Sequence, residues 1–166
     1  CFGNFYFIKG SNLGPATVPH HGCLIKVSKD GNQMEIIATG HRAPNGMSVG
    51  PKGQITSADN EGNWVPTSRL NLVKRGGFYG HVFTAHRDKT PTDYDKPLLW
   101  IPHQLDNSSG GQVWVTSKSW GPFNGDLLHL SYGKCSLFKI MKEKVNGRWQ
   151  GAAVRFPLQF ESGVMR

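Results

Sequence analysis

Long apolar runs are missing from this 166-residue sequence. No window of about 18 apolar residues occurs, so no membrane-spanning helix is expected. Cysteine is scarce. Cys1, Cys23 and Cys135 have neither metal-ligand nor Cys-x-x-Cys spacing, and the haem-attachment pattern Cys-x-x-Cys-His does not occur. An odd count excludes a fully paired disulfide framework within the chain. Cys23 and Cys135 lie in apolar, strand-like runs and read as buried thiols. No segment keeps a 3.6-residue apolar period long enough for a sizeable helix. Acidic residues are few, 11 against 19 basic, for a net charge of +8. That sign attracts nucleic acid, anionic lipid or acidic glycans. The basic residues are scattered, however, as at Lys26, Lys52, Lys74, Lys118 and Lys139, with no basic helix or zinc-finger pattern. They read as a solvated surface and not as a nucleic-acid interface.

Glycine (21) and proline (10) are frequent, and apolar residues make up 37% of the chain. Turn formers between short runs rich in Val, Ile and aromatics point to strands. "NFYFIKG", "CLIKVSKDG", "QMEIIATG", "GMSVGPKG", "QITSADNEG", "LNLVKRGG", "GGQVWVTS", "DLLHLSYG", "SLFKIMKE" and "GAAVRFP" fit that description. "SKDGN" and "GPKGQ" read as hairpin turns, with Asp-Gly and Lys-Gly supplying positive φ. "TAHRDKTPTDYDKP" reads as a surface excursion. The chain begins at Cys1 and stops at "FESGVMR", so a processed chain or a fragment of a longer one is expected.

A small polar residue followed by Gly recurs at Asn45-Gly46-Met47, Ser109-Gly110-Gly111 and Ser162-Gly163-Val164, at spacings of 64 and 53 residues. About three further strands fit between successive marks. A four-stranded unit repeating at this interval describes a β-propeller blade, and propellers have about four to eight of them. The expectation is an all-β, partial propeller of about two complete four-stranded blades plus incomplete ends. Its blade remnants would cover about 1–40, 41–105 and 106–160, with the start of a further blade at 161–166. Such an open half ring would expose blade faces.

"GHRAPNG", "GPKGQITSADNEG" and "LNLVKRGGFYG" follow one another between Gly40 and Gly80. In that order they resemble the soluble quinoprotein glucose/sorbosone dehydrogenases, over about 40 residues. "SSGGQVWVTSKSWGPFNGDLLHLSYGKCSLFKI" looks like that family's next blade. The chain as a whole looks closest to bacterial members associated with c-type cytochrome domains. The resemblance implies a six-bladed propeller with pyrroloquinoline quinone (PQQ) and Ca²⁺ at the channel mouth, hydride transfer from a sugar, and a periplasmic or extracellular setting. A cytochrome domain or another electron acceptor would be its partner. Arg42 matches the arginine near the quinone carbonyl, where it would stabilise charge. Gly62 and Asn63 match main-chain carbonyl ligands of the cofactor's Ca²⁺, and Tyr79 a position near a second Ca²⁺. The family's catalytic histidine would lie on an earlier blade. Its acidic pair is replaced around Thr67, Ser68 and Arg69, and its lysine falls at Gly133, with Lys134 one place late.

Other readings of the same residues stand beside this one. Pro-Asn-Gly followed by a strand ending in Asp also occurs in gluconolactonase-type propellers, where Asn45 and Asp59 would be divalent-metal ligands. Asp59, Asn60 and Glu61 could bind a hard cation or cap a turn. His103, Asp106 and Asn107 precede a blade start, in a loop expected to face the channel. Trp64, Trp100, Trp114 and Trp120 serve either as sugar platforms or as filling between blades. A non-catalytic propeller that binds a glycan or a protein partner is the remaining class.

Overall fold

The computed structural model describes residues 4–8, 10, 18–61 and 66–165. Among them twelve strands form three four-stranded sheets. The first has the order β1 (Phe5–Ile8), β2 (Leu24–Val27), β3 (Met34–Thr39), β7 (Gly77–Phe78). The second is β4 (Pro44–Val49), β5 (Ile55–Asp59), β6 (Ser68–Leu72), β8 (Leu99–Ile101). The third is β9 (Ser109–Trp114), β10 (Leu127–Ser131), β11 (Ser136–Val145), β12 (Arg148–Arg155). Every pairing is antiparallel except β3 with β7. The expected hairpin turns close β2–β3 and β4–β5, with Gly31 and Gly53 at φ 77° and 76°.

The all-β architecture holds, and the first sheet is more complete than the sequence suggested. Its fourth strand comes from later in the chain. After β6 the backbone crosses to pair Gly77–Phe78 with β3, runs through a short 3-10 turn at Val82–Thr84 and the excursion, and returns to the second sheet as β8. Two- and three-residue strands leave no periodic signal, so β7 and β8 were not legible. Cys23 is fully buried, and burial pushes its thiol up to about 11. Cys135 differs from expectation. It lies in the turn between β10 and β11 at φ 50°, only partly buried.

The recurring small-residue–Gly marks have a steric cause. They fall where β4 and β9, the first strands of adjacent sheets, run side by side. Asn45 Nδ2 donates to Ser109 O at 3.1 Å, and Gln112 Nε2 to Gly46 O at 3.4 Å. A Cβ on Gly46 would strike the Gly110 carbonyl, and one on Gly110 would lie 2.8 Å from Val164 O and 2.9 Å from Leu130 O. Gly111 N donates to Met165 O at 2.6 Å, so the third mark stands in the same relation to β9. Innermost strands of a ring crowd together, and glycine is what lets them.

Two apolar cores fill the spaces between successive sheets. Leu70, Leu99, Ile101, Leu127, Phe138 and Ile140 pack between the second and third. Leu24, Ile37, Ala38, Ile55 and Tyr79 pack between the first and second. The middle sheet is therefore covered on both faces, and all of β5 is buried. The end sheets leave apolar side chains in solvent: Phe5, Phe7, Met34 and Ile36 on the first, and Val113, Met141 and Val154 on the third. This matches the exposed blade faces expected of a partial ring.

Because backbone atoms, and not a flexible side chain, crowd Gly110, the Gly110→Ala chain should lose about 1–3 kcal/mol of stability. Urea denaturation followed by circular dichroism reads this. An unchanged midpoint would show that β4 and β9 are not held this closely.

Candidate functional site

The register of β4 against β5 sets Pro44 opposite Asp59. The end of β5 is thereby brought beside the loop that carries Arg42. The Asp59 carboxylate is fully buried and accepts three hydrogen bonds: from Arg42 N (3.0 Å), Ala43 N (2.8 Å) and Arg69 Nη2 (3.0 Å). A carboxylate offers about four lone-pair positions, so protein donors take most of them. Arg69 is also fully buried. Burial pulls its pKa below the usual guanidinium range, and Asp59 opposes that shift. Its carbon Cζ lies 5.7 Å from the centre of the Tyr79 ring, while its Nε and Nη1 have no hydrogen-bond partner among the described residues.

Around this clamp the same end of the second sheet gathers further polar groups. Arg42 Nη1 lies 4.0 Å from Glu61 Oε1, and Glu61 Oε2 lies 3.5 Å from His103 Nε2. The Arg42 side chain is only 21% exposed, yet its buried Nε has no hydrogen-bond partner among the described residues. Glu61 and His103 are about half exposed. Asn60 Oδ1 accepts from Ser109 N at 3.2 Å, next to the bond from Asn45 to Ser109 O. Both amides thus join the second sheet to the start of the third.

The loop that carries His103 is anchored by a second buried carboxylate. Asp106 accepts from Ser109 Oγ (2.6 Å), Ser131 Oγ (2.7 Å), His129 Nε2 (2.9 Å) and Ser108 N (3.2 Å). Burial alone would raise its pKa. The hydrogen bonds from His129, Ser109 and Ser131 outweigh that and hold it below the usual carboxylate range.

Behind the clamp lies His41. Its Nδ1 is 3.1 Å from Gly22 O and its Nε2 3.3 Å from Ser57 Oγ. A carbonyl can only accept, so Nδ1 carries the proton, and Nε2 accepts from the Ser57 hydroxyl. Ser57 Oγ accepts in turn from Asn71 Nδ2. The ring is fully buried, and burial pulls its pKa down to about 4. Tyr79 packs 5.0 Å from this ring. Its hydroxyl accepts from Lys74 N and donates to Leu72 O, at the opposite end of the sheet from Arg42. Burial pushes that hydroxyl up to about 12.

The structure therefore brings Arg42, Asn45 and Asp59 to one end, with Asn60, Glu61 and His103. Gly62 and Asn63 lie outside the described residues, as does Trp64. The Tyr79 side chain points between the first two sheets. Among the described residues no three His, Cys, Asp or Glu side chains gather as a metal cluster. The sequence singled out Glu61 and His103 separately, but their pairing across 42 residues depends on the β8–β9 loop and left no local signal. Neither did the Asp106–His129 bond.

A pH dependence follows from His41. Between about pH 6.5 and pH 4 the unfolded chain binds a proton at this residue that the folded chain refuses. Stability is therefore retained above pH 6.5 and falls as pH is lowered toward 4, by up to about 3 kcal/mol. Unfolding free energies at a series of pH values should show this slope, and His41→Asn should reduce it. An identical slope in the variant would contradict the assignment.

No family model and no curated protein matches the chain. Solved structures do. An oxidoreductase named as a glucose dehydrogenase, from Thermus thermophilus, superposes with a TM-score of 0.66 at 21% identity, over 98% of this chain and 51% of that one. The soluble aldose sugar dehydrogenase from Escherichia coli, in its apo form, gives 0.64 at 15% identity, over 94% and 52%. The PQQ-bound aldose sugar dehydrogenase from Streptomyces coelicolor gives 0.60 at 14% identity, over 90% and 45%. The chain spans about half the length of the structures it matches, and it has the β-propeller fold of these sugar dehydrogenases.

Proposed function

We propose that this chain forms the Arg42-bearing part of a propeller that oxidises an aldose sugar in the periplasm or outside the cell, with PQQ and Ca²⁺ as cofactors. It would contribute three blades and the first strand of a fourth. The observation that carries the reading is Arg42: Asp59 holds its backbone amide, and its buried Nε has no hydrogen-bond partner among the described residues. An orphaned buried donor on a permanent cation suits an anionic or quinoid oxygen. The likeness to a PQQ-bound dehydrogenase supports the same choice.

Arg42 would hold the quinone, and the Gly62 and Asn63 carbonyls its Ca²⁺. PQQ, when bound, supplies a two-electron acceptor for the hydride leaving a sugar C1–H. The residues of this chain supply the surroundings. Arg42 offers a fixed planar donor set where negative charge accumulates, a role that needs no proton bookkeeping because guanidinium stays charged. Glu61 would lie between two groups of the mouth, with Oε1 4.0 Å from Arg42 Nη1 and Oε2 3.5 Å from His103 Nε2. The group that takes up the hydroxyl proton would be a histidine of an earlier blade, and His103 would line the mouth beside Glu61. Asp106 keeps the His103 loop in place through Ser108 and Ser109.

The test uses the complete propeller to which this chain contributes, supplied with PQQ and Ca²⁺, with dye reduction followed over a panel of aldoses. Reduction is expected, and Arg42→Ala should lower kcat/KM by about 10²–10³-fold. A protein that retains PQQ yet reduces dye with no aldose would overturn the reading.

A further inference from the structure

We infer a second saccharide-binding site at the opposite end of the sheets from Arg42, one that takes an acidic, uronate-bearing glycan. The second sheet's strands run from the mouth, at Pro44, Asp59 and Ser68, to a far end at Val49, Ile55 and Leu72. At that far end lies a cleft of about 620 Å³, within the range of about 300–1,000 Å³ usual for ligand sites. It shares no residue with the mouth.

Beside Gln54 of the β4–β5 turn, three separate parts of the chain build it. One is the end of β6, continuing into Val73 and Lys74. Another is the excursion at Asp93–Leu98. The third is the tip of the β11–β12 hairpin, with Gly147, Arg148 and Trp149. This hairpin is built to reach the cleft. β10 pairs with only five residues of β11, whereas β11 is ten residues long, so its outer half extends past the sheet with β12. There it crosses to the neighbouring sheet, where Gly151 N donates to Leu98 O at 2.8 Å. A Cβ at Gly151 would lie 2.9 Å from Leu98 Cγ and 3.0 Å from Met141 O, so glycine permits the approach.

The far wall is equally fixed. Asp95 accepts from Phe78 N (3.1 Å) and Lys74 Nζ (2.9 Å), and its own N donates to Phe78 O (2.8 Å). Lys96 Nζ sits 4.2 Å from the centre of the Tyr94 ring, and Tyr94 packs edge-on against Trp100. Such ties keep the rim in one arrangement before any ligand arrives, which cuts the ordering cost of binding.

Its chemistry selects a sugar. Trp149 is 46% exposed and, among the described residues, stacks on no other ring. An indole face is a platform for the C–H face of a pyranose. Hydroxyls need donors and acceptors together, and the Lys74–Asp95 and Lys96–Asp93 pairs supply both on one rim. Arg148 is the exception to this pairing: it lines the cleft and has no acidic partner among the described residues. A planar guanidinium matches a carboxylate in two-pronged fashion, which favours a uronate over a neutral sugar.

Isothermal titration of the full chain tests this, with trigalacturonate and maltotriose as probes. The acidic trimer should bind and the neutral trimer at least fivefold more weakly. Trp149→Ala should weaken the acidic trimer at least tenfold. Arg148→Gln should bring its affinity down to that of the neutral one. Both residues are solvent-facing, and circular dichroism should show the variants folded. Dye reduction by aldoses, measured separately, should be unchanged in both, so failure here is distinguishable from failure of the mouth assignment. No binding of the acidic trimer, binding indifferent to Trp149→Ala, or equal binding of the two trimers would each overturn the inference.

Discussion

One buried carboxylate sets the geometry of the mouth. Asp59 closes β5 and ties down three donors from two other segments: two backbone amides ahead of β4 and the guanidinium of Arg69 on β6. Without it, Arg69 would be a fully buried cation with no counter-charge, a state that costs several kcal/mol. The loop before β4 would also have two amides facing inward unsatisfied. Because the same loop carries Arg42, the clamp that stabilises the sheet also fixes the backbone from which the Arg42 guanidinium extends toward Glu61.

The third sheet uses the same device with the roles reversed. There the carboxylate, Asp106, precedes the first strand, and the donors Ser131 and His129 come from the second strand. In both sheets a buried acid joins the beginning of the first strand to the second strand at the mouth end. The consequence is that loops at this end, which carry Arg42, Glu61 and His103, stand on rigid supports. Loops positioned by such scaffolds are where binding groups are expected. Holding that loop accounts for Asp59 and Arg69 being fully buried, while Ser57 and Asn71 are buried in the hydrogen-bonded chain that ends on His41.

That burial also explains what the sequence disclosed and what it withheld. "SLFKI" was legible because one buried face alternates with one partly solvated face, a period of two, and "CLIKV" as a short apolar run before a turn. The inner-strand glycines were legible as a repeat because the crowding at the axis recurs with each sheet. In "QITSADNEG" the run was legible as a strand, but its depth was not. Polar residues buried on both faces look the same, in one dimension, as polar residues on a surface. Arg69 shows this most clearly. At its place in the "LNLVKRGGFYG" resemblance it marked a missing carboxylate, while in three dimensions it is the partner of Asp59, ten residues away across two strands. Glu61 and His103 each drew notice from composition, but only the path of the chain from β8 to β9 brings them together. Trp149, on a hairpin that overshoots its own sheet, had no local mark at all.

Asp59, through Arg69 and the Arg42–Ala43 amides, holds this end of the second sheet in shape. The most direct measurement is the unfolding free energy of the Asp59→Asn chain in urea, compared with the unaltered chain. Breaking one partner of a buried ion pair should cost about 3–5 kcal/mol, and Asp59→Leu combined with Arg69→Leu should cost less than Asp59→Leu alone, since the second change removes the stranded cation. An Asp59→Asn chain within about 0.5 kcal/mol of the original, the range of ordinary surface substitutions, would contradict the account.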